Sequence, residues 1–328
     1  MVTINDIAKM ASVSRTTVSR VLNNSSHVSK KARERVLEAI EKTGYIPSEH
    51  AKGLRVKQTN VVGVILPKIS TETSSRVVNG IDEELSRYGY QILLANSNLE
   101  LKKEIEHLKL LQSRRVDGII LMATNVDKSL QEEIKALPIP TVALGQEIPG
   151  VTSVVYDDYH AACDLTQLFI NKGHRKIAFI GVSEEDKAVG YLRKKGYLDT
   201  MKNNNLSVED FWMAQGTFNI TSGYHAMKEI WETSSERPTA VFAVTDRLAI
   251  GVMEYLQEKG LNIPKDISIA GIGASELSKY VRPALTTVDY FNNEAGKVTA
   301  RHLLDKMLEE NESKKSKLGY RLIERDSL

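Results

Sequence analysis

The sequence of 328 residues lacks the features that mark secreted and membrane proteins. It has one cysteine, Cys163, which excludes an intrachain disulfide and any zinc site built from several cysteines. No run of 18 or more apolar residues is present, so the sequence predicts no membrane-spanning helix. The first residues lack the charged and apolar pattern of a signal peptide, and we therefore expect a cytoplasmic protein.

Sequence signatures of common enzymes are also missing. The chain has no GxxxxGK(S/T) phosphate loop, no HExxH zinc motif and no GxSxG nucleophile turn. Gly271-Ile272-Gly273 lacks the third glycine of a dinucleotide-binding turn. The sequence therefore predicts no catalytic residue, no cofactor and no metal ion.

Charge is unevenly distributed along the chain, although the net charge is only +2. Residues 1–60 contain 11 Lys and Arg residues against five Asp and Glu residues, a net charge of +6, and the rest of the chain carries −4. A basic N-terminal segment on a mildly acidic body favours a polyanionic partner at one end and a different partner at the other.

The basic segment has the pattern of a helix-turn-helix. Residues 4–10 and 14–23 predict two short amphipathic helices joined by Ala11-Ser12-Val13. In the second helix Val18 and Val21 share one face, and the other face carries Arg15, Thr16, Thr17 and Arg20. A recognition helix presents polar side chains to the major groove of DNA in this way. Residues 29–43 predict a third helix, which Ser29 caps and Gly44 ends.

Individual DNA contacts follow from this pattern. Arg15, Thr16 and Arg20 are placed to read bases. Short polar side chains suited to phosphate oxygens are Ser14, Ser19, Asn23 and His27. A fourth helix at residues 48–55 places Leu54 between Lys52 and Arg55, which is the composition of a wedge that enters the minor groove and kinks the duplex. Residues 56–59 are predicted to be a linker, with a domain boundary near residue 58.

After the linker, apolar strands alternate with amphipathic helices. Runs of apolar residues at 61–66, 118–122 and 268–272 are examples. Continuous apolar runs of this kind predict parallel strands that are buried on both faces. Because about 260 residues exceed what one open sheet needs, we predict two doubly wound parallel-sheet lobes of α/β class, with a ligand crevice where the carboxyl ends of their strands face each other.

On these motifs the sequence resembles the LacI/GalR family of bacterial transcription regulators over nearly the whole chain. The head motifs are residues 4–8, 13–23, 44–47 and 51–54, and the body motifs include residues 116–120, 173–178, 238–242 and 245–251. Within the family, the chain is most similar to the sucrose operon repressors at Gly145-Gln146, at Asp157-Asp158-Tyr159 and at residues 184–190 and 322–327.

The resemblance implies a periplasmic-binding-protein type of body and two sets of contacts. We expect a headpiece with hinge helix at 1–58 and an effector-binding and dimerisation domain at 59–328, with an N-terminal lobe of about 60–158 plus 290–321 and a C-terminal lobe of about 159–289. A homodimer would bind a pseudo-palindromic operator. DNA contacts then also include Thr3, Thr17 and Ala51, and effector contacts carry over to Arg193, Phe218, Asp246 and Tyr290. Asp246 can equally be the N-cap of the helix that follows it.

The expected cleft departs from many family members at two positions. Gly145 and Gly273 stand where those members carry aspartates, so the cleft is less negative and an anionic effector costs less to bind. Lys68 lies where trehalose-type repressors carry a basic residue for a sugar phosphate. We therefore expect a sugar or sugar phosphate effector, such as sucrose 6-phosphate, with Lys68 and Arg193 as candidates for the anion.

Other functions compete with this one. A catabolite-control regulator of the same family would take a phosphorylated phosphocarrier protein as co-repressor, docked near residues 292–309 with Arg301 as a candidate contact. An enzyme or a transport receptor finds no support, since catalytic motifs and a signal peptide are missing. The neighbouring Asp157 and Asp158 are interpreted as a strand-end turn and helix cap.

The recognition helix and the hinge predict different responses to mutation. Arg15→Ala should relax base preference at one operator position, because a bidentate contact of arginine with guanine discriminates by roughly 1–3 kcal/mol. Lys52→Ala should weaken binding to all sequences and reduce the salt slope by about one unit. Binding to single-base operator variants at several salt concentrations measures both effects. An equal loss on all sequences for Arg15→Ala would contradict a base-reading role.

Overall fold

A computed structural model describes residues 2–22, 25, 27–45, 58–308 and 313–328. The chain divides into two compact units, residues 1–59 and 60–328. The helices are Ile4–Met10 (α1), Arg15–Leu22 (α2), Lys30–Thr43 (α3), Glu72–Ser86 (α4), Leu101–Ser113 (α5), Lys128–Ala136 (α6), Asp158–Asn171 (α7), Arg193–Asn203 (α8), Ile220–Thr233 (α9), Asp246–Glu258 (α10), Leu277–Tyr280 (α11) and Asn292–Leu308 (α12). The strands are Val61–Leu66 (β1), Gln91–Asn96 (β2), Gly118–Met122 (β3), Thr141–Leu144 (β4), Thr152–Tyr156 (β5), Ile177–Gly181 (β6), Met213–Gln215 (β7), Ala240–Ala243 (β8), Ser268–Ile272 (β9), Thr286–Asp289 (β10), Lys315–Leu318 (β11) and Arg321–Ile323 (β12).

The first unit is a three-helix headpiece, and α1, α2 and α3 lie where the sequence pattern predicts them. Their apolar faces enclose a small core in which Ile7, Val18 and Val36 are fully buried. Ser29 caps α3 by accepting a hydrogen bond from the backbone N–H of Ala32. The predicted hinge helix at 48–55 lies outside the described residues.

The second unit consists of two lobes, each built on a six-stranded sheet. The strand order is β11-β5-β4-β3-β1-β2 in the N-terminal lobe and β12-β10-β9-β8-β6-β7 in the C-terminal lobe. All pairs are parallel except β10 with β12. Strands such as β3 and β9 are buried along their whole length, because helices cover both faces of each sheet. The predicted fold class is confirmed.

The chain passes between the lobes three times. The crossings follow β5, β10 and β11, and after the last of them the chain enters the C-terminal lobe as β12. The prediction placed residue 321 in the N-terminal lobe and assigned 322–328 to neither. Both points are corrected by the pairing of β12 with β10 and by Ser327, whose hydroxyl donates to the carbonyl O of Ile269. The short, half-exposed β12 lacked the apolar run that reveals the central strands.

Helices α4 and α12 of the N-terminal lobe pack unusually closely, and two glycines permit this. A Cβ at Gly80 would clash with the carbonyl O of Asn293, and a Cβ at Gly296 would clash with the carbonyl O of Val77. The contact is between backbones, so no side chain can move aside.

The glycine contact predicts a specific loss of stability. Gly296→Ala should lower the free energy of unfolding by about 1–3 kcal/mol, because the methyl group forces the two helix backbones apart. Gly319→Ala is the matched control, since a Cβ there meets no atom within 4 Å, and its effect should stay within about 0.5 kcal/mol. Urea unfolding measures both. Equal stabilities of the two variants would show that the helix contact tolerates separation.

Candidate functional site

The headpiece turn is held by side chains that cap its helices. Ser12, between α1 and α2, adopts a left-handed backbone with φ of 49°. The Oγ of Ser14 accepts a hydrogen bond from the backbone N–H of Thr17 at 3.1 Å and lies 2.9 Å from its hydroxyl. Thr3 caps α1, and its hydroxyl donates to Asp6 Oδ2 at 2.7 Å. Thr3, Ser14 and Thr17, predicted as DNA contacts, thus also fix the helix ends.

The outer face of α2 carries the polar side chains expected of a recognition helix. Arg15, Thr16 and Arg20 are exposed, while Val18 and Val21 are buried in the headpiece core. Ser19 is half-buried and His27 is exposed. The remaining predicted contacts, Asn23, Ala51, Lys52 and Leu54, lie outside the described residues.

In the second unit a cavity of about 330 Å³ lies between the lobes, at the carboxyl ends of both sheets. Its lining includes loops that follow β1, β3 and β4 in one lobe and β8 and β9 in the other. The volume falls in the range of small-molecule sites. All five predicted effector contacts line this cleft, namely Lys68, Arg193, Phe218, Asp246 and Tyr290.

A buried charge network forms one wall of the cleft. Arg193 Nε donates to Asp158 Oδ1 at 2.7 Å, and the Tyr290 hydroxyl donates to the same oxygen at 3.0 Å. A second guanidinium nitrogen of Arg193 donates to the carbonyl O of Val244. Burial acts to lower the pKa of Arg193, but Tyr290 and Asp158 raise it, and the net pKa lies above its ordinary value. The guanidinium is therefore charged and already engaged.

Asp158 was missed as a site residue. The pair was interpreted as a strand-end turn and helix cap, and Asp157 does occupy the N-cap position. The Asp158 carboxylate instead pairs with Arg193, which this interpretation did not include. The partner is 35 positions away along the chain, so the sequence offered no signal for this pair.

Asp246 is not the N-cap of its helix. Thr245 has that role, since its hydroxyl accepts from the backbone N–H of Leu248. The Asp246 carboxylate accepts hydrogen bonds from the backbone N–H of Ser275 at 2.6 Å and from the hydroxyl of Thr287. Burial raises the pKa of Asp246, while these hydrogen bonds act to lower it.

The other buried carboxylate of the cleft is likewise engaged. Asp186 accepts from the backbone N–H of Val189 at 2.9 Å and from the side-chain amide of Gln146 at 2.6 Å. This second bond crosses from the C-terminal lobe to the N-terminal lobe. Burial raises the pKa of Asp186.

Two further hydrogen bonds join the lobes at the cleft. On α4, Arg76 donates to the carbonyl O of Ala274 at 2.8 Å, and Glu72 accepts from the backbone N–H of Glu276 at 2.6 Å. Arg76 and Glu72 also pair with each other. One turn of α4 thus holds the loop after β9, and the lobes are in contact across this part of the cleft.

Arg301, the candidate contact for a phosphoprotein, lies on α12 and is half-exposed. Its guanidinium pairs with Glu84 at 3.1 Å and Glu294 at 3.6 Å. An incoming phosphate would have to compete with both carboxylates.

Within the described ranges, no group of three or more His, Cys, Asp or Glu side chains is arranged to hold a metal ion. In that same part of the chain, no helix is both long and apolar enough to span a bilayer.

Comparison with known proteins gives matches along the chain. The family model described as "Bacterial regulatory proteins, lacI family" matches residues 3–48, and "Periplasmic binding protein-like domain" matches residues 166–328. Catabolite control protein A of Priestia megaterium is 38% identical over 94% of this chain and 93% of its own length. The HTH-type transcriptional repressor PurR of Salmonella paratyphi B is 32% identical over 100% of this chain and 97% of its own length.

Two solved structures are also similar to nearly the whole chain. The lac repressor dimer bound to operator and the anti-inducer ONPF is 25% identical, with a TM-score of 0.86 over 99% of this chain and 98% of that one. The transcriptional regulator CelR in complex with cellobiose is 27% identical, with a TM-score of 0.77 over 100% of both chains.

The charge network predicts a large difference between two neighbouring aspartates. Asp158→Ala leaves Arg193 buried and unpaired, and should lower the free energy of unfolding by about 3–5 kcal/mol. Asp157→Ala removes the outer pairs with Lys317 and His160 and should cost at most about 1 kcal/mol. Chemical denaturation measures the free energy of unfolding of both variants. Similar decreases for the two would contradict the role assigned to the Asp158–Arg193 pair.

Proposed function

We propose, since the chain belongs to the LacI family of bacterial regulatory proteins, that it represses a sugar-utilisation operon and leaves its operator when a sugar or sugar phosphate binds between the lobes. It is a DNA-binding transcriptional repressor of this family that is regulated by ligand binding. The operon, the effector and the oligomeric state are the proposed parts.

The observation that carries the proposal is the cleft itself. It is bounded by both lobes and bridged by hydrogen bonds from Gln146 and Arg76, so a ligand placed there contacts both lobes. Phe218 lines the cleft and packs partly buried against the core of the C-terminal lobe, so the site includes an aromatic side chain. The cellobiose complex of the CelR regulator supports a disaccharide as the type of ligand.

The proposed effector is a phosphorylated disaccharide such as sucrose 6-phosphate. Gly145 and Gly273 add no carboxylate to the cleft lining, and Lys68 adds a cation from the loop after β1. Of the two cations assigned to the anion, Arg193 is engaged by Asp158, so Lys68 is the available one.

We further propose a homodimer on a pseudo-palindromic operator. Edge strand β2 exposes Leu93 and Leu94, apolar side chains that a second copy can cover. Two copies would present two recognition helices, with Arg15, Thr16 and Arg20 on each. Ligand binding shifts the population of lobe angles, and the hinge segments can then no longer pair on the DNA.

A second candidate function is that of a catabolite-control regulator, whose co-repressor is a phosphorylated phosphocarrier protein. The 38% identity to catabolite control protein A favours it. The existing ion pairs of Arg301 with Glu84 and Glu294 weigh against it. A pulldown with the phosphorylated carrier protein separates the two candidates.

Operator release tests the proposal. An operator fragment selected from random DNA by the protein is titrated in the presence of sucrose 6-phosphate, sucrose or glucose 6-phosphate. We expect sucrose 6-phosphate to weaken operator binding about 5- to 150-fold, with sucrose binding more weakly in calorimetry. If sucrose binds at least as tightly as its phosphate, the charge argument fails; if neither sugar affects operator binding, the proposed effector class is wrong.

A further inference from the structure

Arg247 is a cation that lines the cleft and whose Nε–H has no partner in the part of the chain that the structure describes. It is the second residue of α10 and lines the cavity beside Asp246. Its Nε–H is buried and has no hydrogen-bond acceptor among the residues that the structure describes. Within that part of the chain the Arg247 guanidinium makes no ion pair. A buried donor left unsatisfied costs free energy, and such donors are normally matched by a ligand, a water or a side chain.

The carboxylates around the cleft do not supply that partner. Asp158 is paired with Arg193, and Glu72 is paired with Arg76. Asp186 and Asp246 accept hydrogen bonds from neighbouring amides and hydroxyls. Every acidic side chain that lines the cleft therefore has partners of its own, and none of them forms an ion pair with Arg247 among the described residues.

A second cation faces the cleft from the other lobe. Lys68 follows β1, is half-buried and forms no ion pair with any described residue. Arg247 and Lys68 thus belong to different lobes and line one cavity of about 330 Å³. A ligand that brings two negative charges would neutralise both and draw the lobes together.

We propose that Arg247, with Lys68 opposite, binds the dianionic group of the effector, and that Arg193 instead positions the cleft wall through Asp158 and Tyr290. This rests on the proposed function, because it takes the cleft as the effector site. The chemical class is a phosphate monoester, whose oxygens match the planar fork of arginine donors. The anion is thereby assigned to Arg247, a residue of α10 that was not among the effector contacts predicted from the sequence.

The first test uses inorganic phosphate as the probe and chloride at equal ionic strength as the reference. Thermal unfolding of the full-length protein should show a phosphate-dependent rise in Tm that is largely lost in Arg247→Gln. Arg114 is exposed and forms no side-chain hydrogen bond or ion pair with any described residue, so Arg114→Gln should respond as the unmodified protein does. Phosphate that binds to the basic headpiece should raise the Tm of all variants equally, so it cannot account for a difference between them. A rise in Arg247→Gln as large as in the unmodified protein overturns the inference.

The second test uses sucrose 6-phosphate and sucrose in calorimetry. Arg247→Gln should weaken sucrose 6-phosphate about 10- to 100-fold, the size expected for hydrogen bonds to a charged group, and leave sucrose unchanged. Arg247→Lys keeps the positive charge but lacks the planar fork of donors. Its affinity for sucrose 6-phosphate should lie between that of Arg247→Gln and that of the unmodified protein. Lys68→Gln should also weaken the binding of sucrose 6-phosphate but not of sucrose. Lys265 is exposed and serves as a control, and Lys265→Gln should change the affinity for neither sugar. An equal loss for both sugars in Arg247→Gln indicates a structural role and overturns the inference.

These tests distinguish a failure of the anion site proposed at Arg247 from a failure of the proposed function. If sucrose 6-phosphate releases the operator equally well from Arg247→Gln and from the unmodified protein, the anion site is misassigned and the proposed function stands. If inorganic phosphate stabilises the protein through Arg247 but no sugar phosphate releases the operator, the anion site stands and the proposed effector is wrong.

Discussion

The buried pair of Asp158 with Arg193 is the interaction on which the geometry of the cleft depends. Asp158 begins the helix after the first crossing between lobes, and Tyr290, bonded to the same carboxylate oxygen, stands at the second crossing. Removing either partner would leave the other charge buried and unpaired, which is strongly destabilising. The network therefore ties α7, α8 and the crossing strands into one rigid wall, and Tyr156 stacks on Tyr290 with ring centroids 4.8 Å apart.

This constraint determines what the rest of the cleft can do. Because Arg193 is neutralised where it stands, the charge of the proposed anionic ligand would have to be met by other cations of the cleft. The hydrogen bonds of Gln146 and Arg76 across the lobes add a second constraint, since any change of lobe angle must break or move them. A ligand that contacts both lobes shifts this equilibrium only as far as its contacts differ between one lobe angle and another.

The fold was largely predictable because its central strands are buried on both faces. Continuous apolar runs located β1, β3 and β9 at their observed ends. The short edge strands β7 and β12 escaped prediction, since they are partly exposed and carry no such run. The π-helical turn Lys187–Leu192, which precedes α8, has no sequence signal of its own. Local patterns specify which segments are buried, but not which hydrogen bonds a buried helix start will adopt.

The candidate site was predictable only in part, for a related reason. Motif resemblance placed Lys68, Phe218 and Tyr290 in one cleft, and the structure brings them there. It could not indicate that Asp158 would engage Arg193 or that the Arg247 Nε–H would find no acceptor among the described residues, because both depend on contacts between residues far apart in the chain.

The central claim is that the cleft and the DNA-binding headpiece are coupled. Reciprocity of binding free energies tests it most directly: the affinity of the protein for sucrose 6-phosphate is measured with and without saturating operator DNA. The account predicts that operator weakens effector binding by the same factor by which effector weakens operator binding. Equal effector affinity in the free and operator-bound protein would contradict it.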